Sequence, residues 1–286
     1  MKMKSTNDDI HGLPYPLEST IPAGPPDQTQ GRSRSRTGDV LFLDHVGKVD
    51  NPYAALKYID TLLLIDDSDS MQQCWDEVGD IIRTITPICI EHDRNGIDIE
   101  FVNHRAKGYH FTSRSGYQHI GLLKGRLDMH DNVAGIYHNV KPKGRCRMDK
   151  RLASILDPYI NEYEASLRQS GGKKLLVPLN IIVISDLSWD TDDDSFGTLI
   201  RIARQLDILG APKYQVGVQL FRVGDTGRQI PDDTVRFFDD QIWKDRGVRD
   251  MVDITTWTGS PGELSPKGIL KVLLGAVRRS IDYTEV

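Results

Sequence analysis

Two stretches constrain the fold more than any others: "YIDTLLLID" at 58–66 and "LNIIVIS" at 179–185, the second followed at once by Asp186. A strand with one solvated face alternates apolar and polar residues. A run that is apolar at almost every position has to be covered on both faces. Both runs have strand length, and both deliver an aspartate at their C-terminal end.

The segments around them read as alternating helices and strands. Met71, Trp75, Val78, Ile82, Ile85 and Ile88 recur at helical spacing, and Asn95-Gly96 closes that helix. "IDIEFVN" (97–103) is a second strand, and a helix is expected over 117–129. Leu152, Ile155, Leu156, Tyr159, Ile160, Tyr163 and Leu167 mark an amphipathic helix. Helices over 195–209 and 232–246 and strands within 214–223 and "MVDITTW" follow. Ser265 and Pro266 supply the cap and first residue of a last helix. Such alternation predicts an α/β, Rossmann-like doubly wound fold, with a mainly parallel central sheet flanked by helices. Ligands of such sheets sit beyond the carboxyl ends of the strands, where Asp66 and Asp186 fall.

Residues 1–38 are rich in Pro, Ser, Gly and polar residues and are expected to be a disordered tail. Residues 39–286 are expected to form a single domain, with "DVLFLDHV" (39–46) as a short strand or strap. A net charge of −5 gives no general reason to expect nucleic acid or an acidic membrane surface as partner. No apolar run approaches the roughly 18 residues of a membrane helix, and the first residues lack a secretory apolar core. Cys74, Cys89 and Cys146 are far apart and lack metal-type pairing. They read as reduced thiols of a cytoplasmic protein.

Beyond Asp66 the chain continues as Asp-x-Ser-x-Ser. In a loop entering a helix, Asp66, Ser68 and Ser70 can turn three oxygens toward one hard cation, for which Mg2+ is the natural candidate and Mn2+ or Ca2+ the substitutes. The same three side chains would also serve simply as a helix cap. Asp190, Asp192, Asp193 and Asp194 lie over the start of the next helix, whose positive end favours them.

Beyond these motifs, the chain resembles a von Willebrand factor A (vWA) domain of the intracellular fungal type over about residues 51–283. The resemblance is carried by "NPYAALKYIDTLLLIDDSDSM", "EVGDIIRTITPICIEHDRNGIDIEFVNHR", "KRLASILDPYI", "PLNIIVISD", "YQVGVQLFRVG", "GVRDMVDITTWTG" and "GILKVLLGAVRRSID". It implies a metal-ion-dependent adhesion site, a module that binds a protein partner through an Asp or Glu carboxylate, and no catalysis. Asp66, Ser68 and Ser70 fall on the first metal loop of that family, and Asp186 on its later aspartate. The family's middle-loop threonine is replaced: "KGRCRMDKRL" puts Cys146 in its slot, flanked by Arg145 and Arg147. A thiol is a soft, poor ligand for magnesium, and a guanidinium beside Asp66 would take the cation's place.

An enzymatic alternative uses the same stretch. Asp67-x-Asp69 matches the opening of haloacid-dehalogenase-type phosphatases, with Asp67 as nucleophile, Asp69 as acid/base and Mg2+ between them. Ser185 would supply the second-strand hydroxyl, and Asp239-Asp240 the distal acids.

Overall fold

The computed structural model describes residues 51–106, 116–121, 129–170, 176–190, 192–224, 235–257 and 264–277. The expected tail (1–38) and the strand or strap at 39–46 lie outside the described residues.

The chain runs β1 (Asp60–Ile65), α1 (Trp75–His92), β2 (Ile97–Phe101), β3 (Tyr117–Ile120), α2 (Met129–His138), α3 (Met148–Ser170) and β4 (Leu179–Ser185). It continues as α4 (Ser195–Ile208), β5 (Val216–Arg222), α5 (Ile242–Arg246), β6 (Val252–Thr256) and α6 (Pro266–Leu274). Among the described residues the strands form one sheet in the order β3-β2-β1-β4-β5-β6. All neighbours are parallel except β2 and β3. The expected α/β doubly wound architecture is therefore present.

Each apolar run is split between two cores, as period-two geometry requires. Leu63 and Ile65 of β1 pack with α1 and α6 on one face. Leu62 and Leu64 pack with α3, α4 and α5 on the other. The crossovers that leave β1 and β4 turn to opposite faces, so a crevice opens between their carboxyl ends. α6 starts as its sequence implies: Ser265 Oγ accepts the Gly268 N–H at 2.9 Å, and Pro266 occupies the first position.

One expectation fails. The stretch proposed as a helix over 117–129 is strand at Tyr117–Ile120, and the next described helix is Met129–His138. β3 is a four-residue antiparallel edge strand with a register shift opposite Ile97 and Ile99. It is held partly by a side chain: the His119 N–H donates to Asp98 Oδ1 at 3.0 Å, with His119 at φ 55°. Such a strand carries no apolar run by which it could be read.

β2 and α3 are tied by a buried ion pair. Arg151 Nη2 lies 2.6 Å from Glu100 Oε2, with 5% and 3% of the side chains exposed. Gly116 lies against this pair, since a Cβ there would come within 2.4 Å of Glu100 Cγ and 2.7 Å of the Ile99 carbonyl oxygen. No described helix is long and apolar enough to cross a membrane.

α1 ends at Asp93, whose Oδ1 accepts the Asn95 N–H and whose Oδ2 accepts the Thr61 N–H, both at 3.2 Å. Burial nevertheless raises this carboxyl from 3.8 to about 7. The folded protein thus binds the proton more tightly than the unfolded chain. This contribution to stability is full below pH 3.8 and is lost as the pH rises through about 7. Asp93→Asn should therefore show a shallower fall of stability between those pH values than the parent, by urea unfolding at several pH values. Equal slopes in the two proteins would refute this assignment.

Candidate functional site

The site lies in the crevice at the carboxyl ends of β1 and β4. Register places its first contact. Leu64 pairs with Val183 and Ile65 with Ile184, so the next pair along is Asp66 and Ser185. Ser185 Oγ donates to Asp66 Oδ2 at 2.7 Å. The same oxygen accepts the Leu187 N–H at 3.0 Å and the Trp189 Nε1–H at 3.1 Å. One donor and two acceptor positions exhaust a serine hydroxyl. Leu187, at φ 57°, is in the left-handed region, which costs a non-glycine residue about 1–2 kcal/mol.

Asp66 is fully buried and well partnered. Its Oδ1 accepts the Ser68 N–H at 3.0 Å, and its Oδ2 accepts the Cys146 thiol at 3.2 Å. Burial raises its pKa, and the hydrogen bonds from Ser68, Ser185 and Cys146 oppose that rise. From there a hydroxyl chain crosses the crevice. Ser68 Oγ lies 3.2 Å from Ser70 Oγ, and Ser70 Oγ donates to Asp186 Oδ1 at 3.2 Å. Asp186 Oδ1 also accepts the Ser188 N–H at 2.9 Å. Asp186 is fully buried, and its Oδ2 has no hydrogen-bond partner among the described residues. The structure thus brings together Asp66, Ser68, Ser70, Asp186 and Cys146.

Cys146 arrives on a loop pinned to the first one. The Lys143 N–H donates to the Asp67 carbonyl at 2.7 Å, and the Asp69 N–H to the Gly144 carbonyl at 2.9 Å. Burial, followed by the negative charge of Asp66, pushes the thiol far above its usual range. The neutral S–H is thus a donor to Asp66.

The arginines beside Cys146 do not replace a cation. Arg145 pairs with Asp190 and Asp192 at 2.7 Å each. Arg147 lies 3.4 Å from Asp149 and 3.5 Å from Asp192. Of the acids after β4, only two serve helix starts. Asp194 Oδ1 accepts the Gly197 N–H of α4, and Asp193 accepts the Ser195 and Asp149 N–H groups, at the starts of α4 and α3. Asp190 and Asp192 instead hold Arg145.

Asp67 faces away from the crevice. Its Oδ1 accepts the Asn103 N–H at 2.7 Å and its Oδ2 the His104 N–H at 2.9 Å, so it braces the turn after β2. Burial raises its carboxyl, and those two N–H groups lower it. Asp69 is exposed. Asp239 Oδ1 accepts the Ile254 N–H of β6 at 2.8 Å, beside α5 and away from a strand end.

The residue that sequence reasoning undervalued is Ser185, considered only as a hydroxyl for the phosphatase alternative. Aligning "LLLID" with "IVISD" as parallel neighbours would have placed it beside Asp66. Among the described residues, no three His, Cys, Asp or Glu side chains form a group able to hold a metal. The candidate set has two carboxylates and depends on hydroxyls for the rest. Compared with known proteins, the chain matches no family model and no curated protein.

Proposed function

We propose that this chain is a non-catalytic, cation-dependent interaction module of the vWA type. In this reading it binds the Asp or Glu carboxylate of a protein partner at the crevice between β1 and β4. The observation that carries it is Asp186 Oδ2: a buried carboxylate oxygen without a hydrogen-bond partner among the described residues, one hydroxyl away from Ser68. Burying a carboxylate costs several kcal/mol unless a charge or a full set of hydrogen bonds compensates it. Among the described residues no Lys or Arg pairs with Asp66 or Asp186; the nearby guanidiniums are held elsewhere.

Ser68 Oγ, Ser70 Oγ and Asp186 Oδ2 are hard oxygen donors and fit Mg2+, or Mn2+ in its place. Asp66 has its oxygens occupied and acts by holding Ser68, Ser185 and Cys146 in place. Cys146 contributes no oxygen, so the shell keeps an additional position open to water or to the partner's carboxylate. A bound cation would supply the positive charge that the partner's carboxylate recognises. The three cysteines, all free and buried, accord with a cytoplasmic setting.

A phosphatase built on Asp67 and Asp69 is disfavoured by the same geometry. Both oxygens of Asp67 accept backbone N–H groups, and Asp67 turns away from Asp186.

Calorimetric titration with Mg2+ and Mn2+ tests the proposal. The parent should bind an ion, and Asp186→Asn should bind at least ten-fold more weakly. Cys146→Thr, which restores a hydroxyl, should bind tighter by about 1–3 kcal/mol, the scale of one polar contact to a charge. If neither the parent nor Cys146→Thr binds either ion, the cation-dependent reading falls. Equal affinity in those two proteins would remove Cys146 from the ion's surroundings.

A further inference from the structure

On the face opposite α1 and α6, helices α4 and α5 both run back from the carboxyl edge of the sheet and lie side by side. Each carries the same ladder at i, i+4 and i+8: Phe196, Ile200 and Arg204 on α4, and Phe238, Ile242 and Arg246 on the helical stretch ending in α5. Positions four apart share one helix face. The two ladders line a groove of about 390 Å3 between the helices. At its upper end Phe196 and Phe238 stack with ring centroids 3.6 Å apart. A π-helical turn at Phe237–Gln241 shapes this end, where Asp239 also bonds β6. Such turns are frequent at functional sites.

At the lower end Arg204 and Arg246 are exposed, and neither has an ion-pair or hydrogen-bond partner among the described residues. The acids at the upper end, Asp193 and Asp194, are occupied by backbone N–H groups. The groove therefore offers two aromatic rings beside helix-capping aspartates at one end and positive charge at the other. Apolar side chains continue beyond it: Ile208, one turn past Arg204, is 78% exposed, and Phe237 is 41% exposed.

We propose that this groove docks a peptide segment of a partner protein that carries one large apolar anchor and a pair of carboxylates. The anchor lies against Phe196, Phe238 and Ile200. The carboxylates reach Arg204 and Arg246, whose planar forks suit bidentate pairing. Eight residues of helix span about 12 Å from the aromatic end to the arginine end. That distance fits acids about four residues from the anchor in an extended peptide, or about eight in a helical one. The groove needs no cation and shares no lining residue with the crevice between β1 and β4.

Selection of phage-displayed random 12-residue peptides on the full chain, in chelator, tests the proposal. Chelator removes any contribution from a cation-dependent site. Enriched peptides should share an aromatic or aliphatic anchor and at least two Asp or Glu on one side of it, at one of those spacings. A synthetic copy should bind the double variant Arg204→Glu/Arg246→Glu at least ten-fold more weakly, by fluorescence anisotropy. A peptide with its acids replaced by lysine should recover binding to that variant. Both arginines are exposed, so circular dichroism should show the variant folded. Absence of an acidic and apolar consensus, or binding indifferent to the charge reversal, overturns the proposal.

Discussion

Arg151→Met is expected to destabilise the domain by about 3–5 kcal/mol, the usual cost of removing one partner from a buried ion pair. Arg151 and Glu100 are almost wholly enclosed and 2.6 Å apart. Burial lowers the pKa of Arg151, and the charge of Glu100 opposes that fall. Without Arg151, Glu100 would lose the guanidinium that balances its charge between β2 and α3, closed in by Gly116. The double variant Arg151→Met/Glu100→Gln should recover much of the loss, because the charge that Arg151 balanced is gone. Urea unfolding of the three proteins decides it. A loss below about 1 kcal/mol in the single variant would mean that water or movement relieves Glu100, as at an exposed pair.

The consequences would reach the site. Arg151 lies in the first turn of α3, five residues after Cys146, and Glu100 lies three residues before Asn103, where Asp67 is anchored. The pair therefore fastens the loop that brings Cys146 to Asp66 onto the strand that Asp67 braces. Cation affinity should fall in Arg151→Met more than in the double variant.

Much of this was legible in the sequence, for physical reasons that differ along the chain. β1 and β4 could be read because a strand covered on both faces has few polar positions to confuse the pattern. α6 could be read because Ser265 and Pro266 mark a helix start chemically. Asp66 and Asp186 could be placed on one edge because parallel strands end together. β3 could not be read, because its order comes from Asp98 bonding the His119 backbone and not from burial. The roles of the acids after β4 were only partly legible. Asp193 and Asp194 cap helices as their position implied, whereas Arg145 reaches 45 and 47 residues along the chain to Asp190 and Asp192. Side-chain pairing at such separation leaves no local pattern. The twin ladders of α4 and α5 were present in the sequence, but only their side-by-side placement makes a groove of them.

Ser185→Ala is the sharpest test of how the crevice is built. One hydroxyl donates to Asp66 and accepts two N–H groups, from Leu187 and Trp189. Alanine fits the strand position, so the change removes bonds and little volume. It leaves the carboxylate one donor short and two N–H groups without their acceptor. At about 1–3 kcal/mol for each buried group left unsatisfied, less what relaxation recovers, a loss of about 2–4 kcal/mol is expected. Leu187 sharpens the effect, because its left-handed backbone is held by the bond to Ser185. Once released it can relax, and Asp186 would move with it. Ser185→Ala should therefore lower stability and weaken Mg2+ or Mn2+ binding together, although Ser185 is not among the proposed ligands. Ser185→Thr keeps the hydroxyl and should retain most of both. If Ser185→Ala lost stability but bound cations as the parent does, Ser185 would brace the fold without positioning the site. If stability were unchanged, water would be replacing the hydroxyl, and the register contact between Asp66 and Ser185 would not be what holds the crevice in shape.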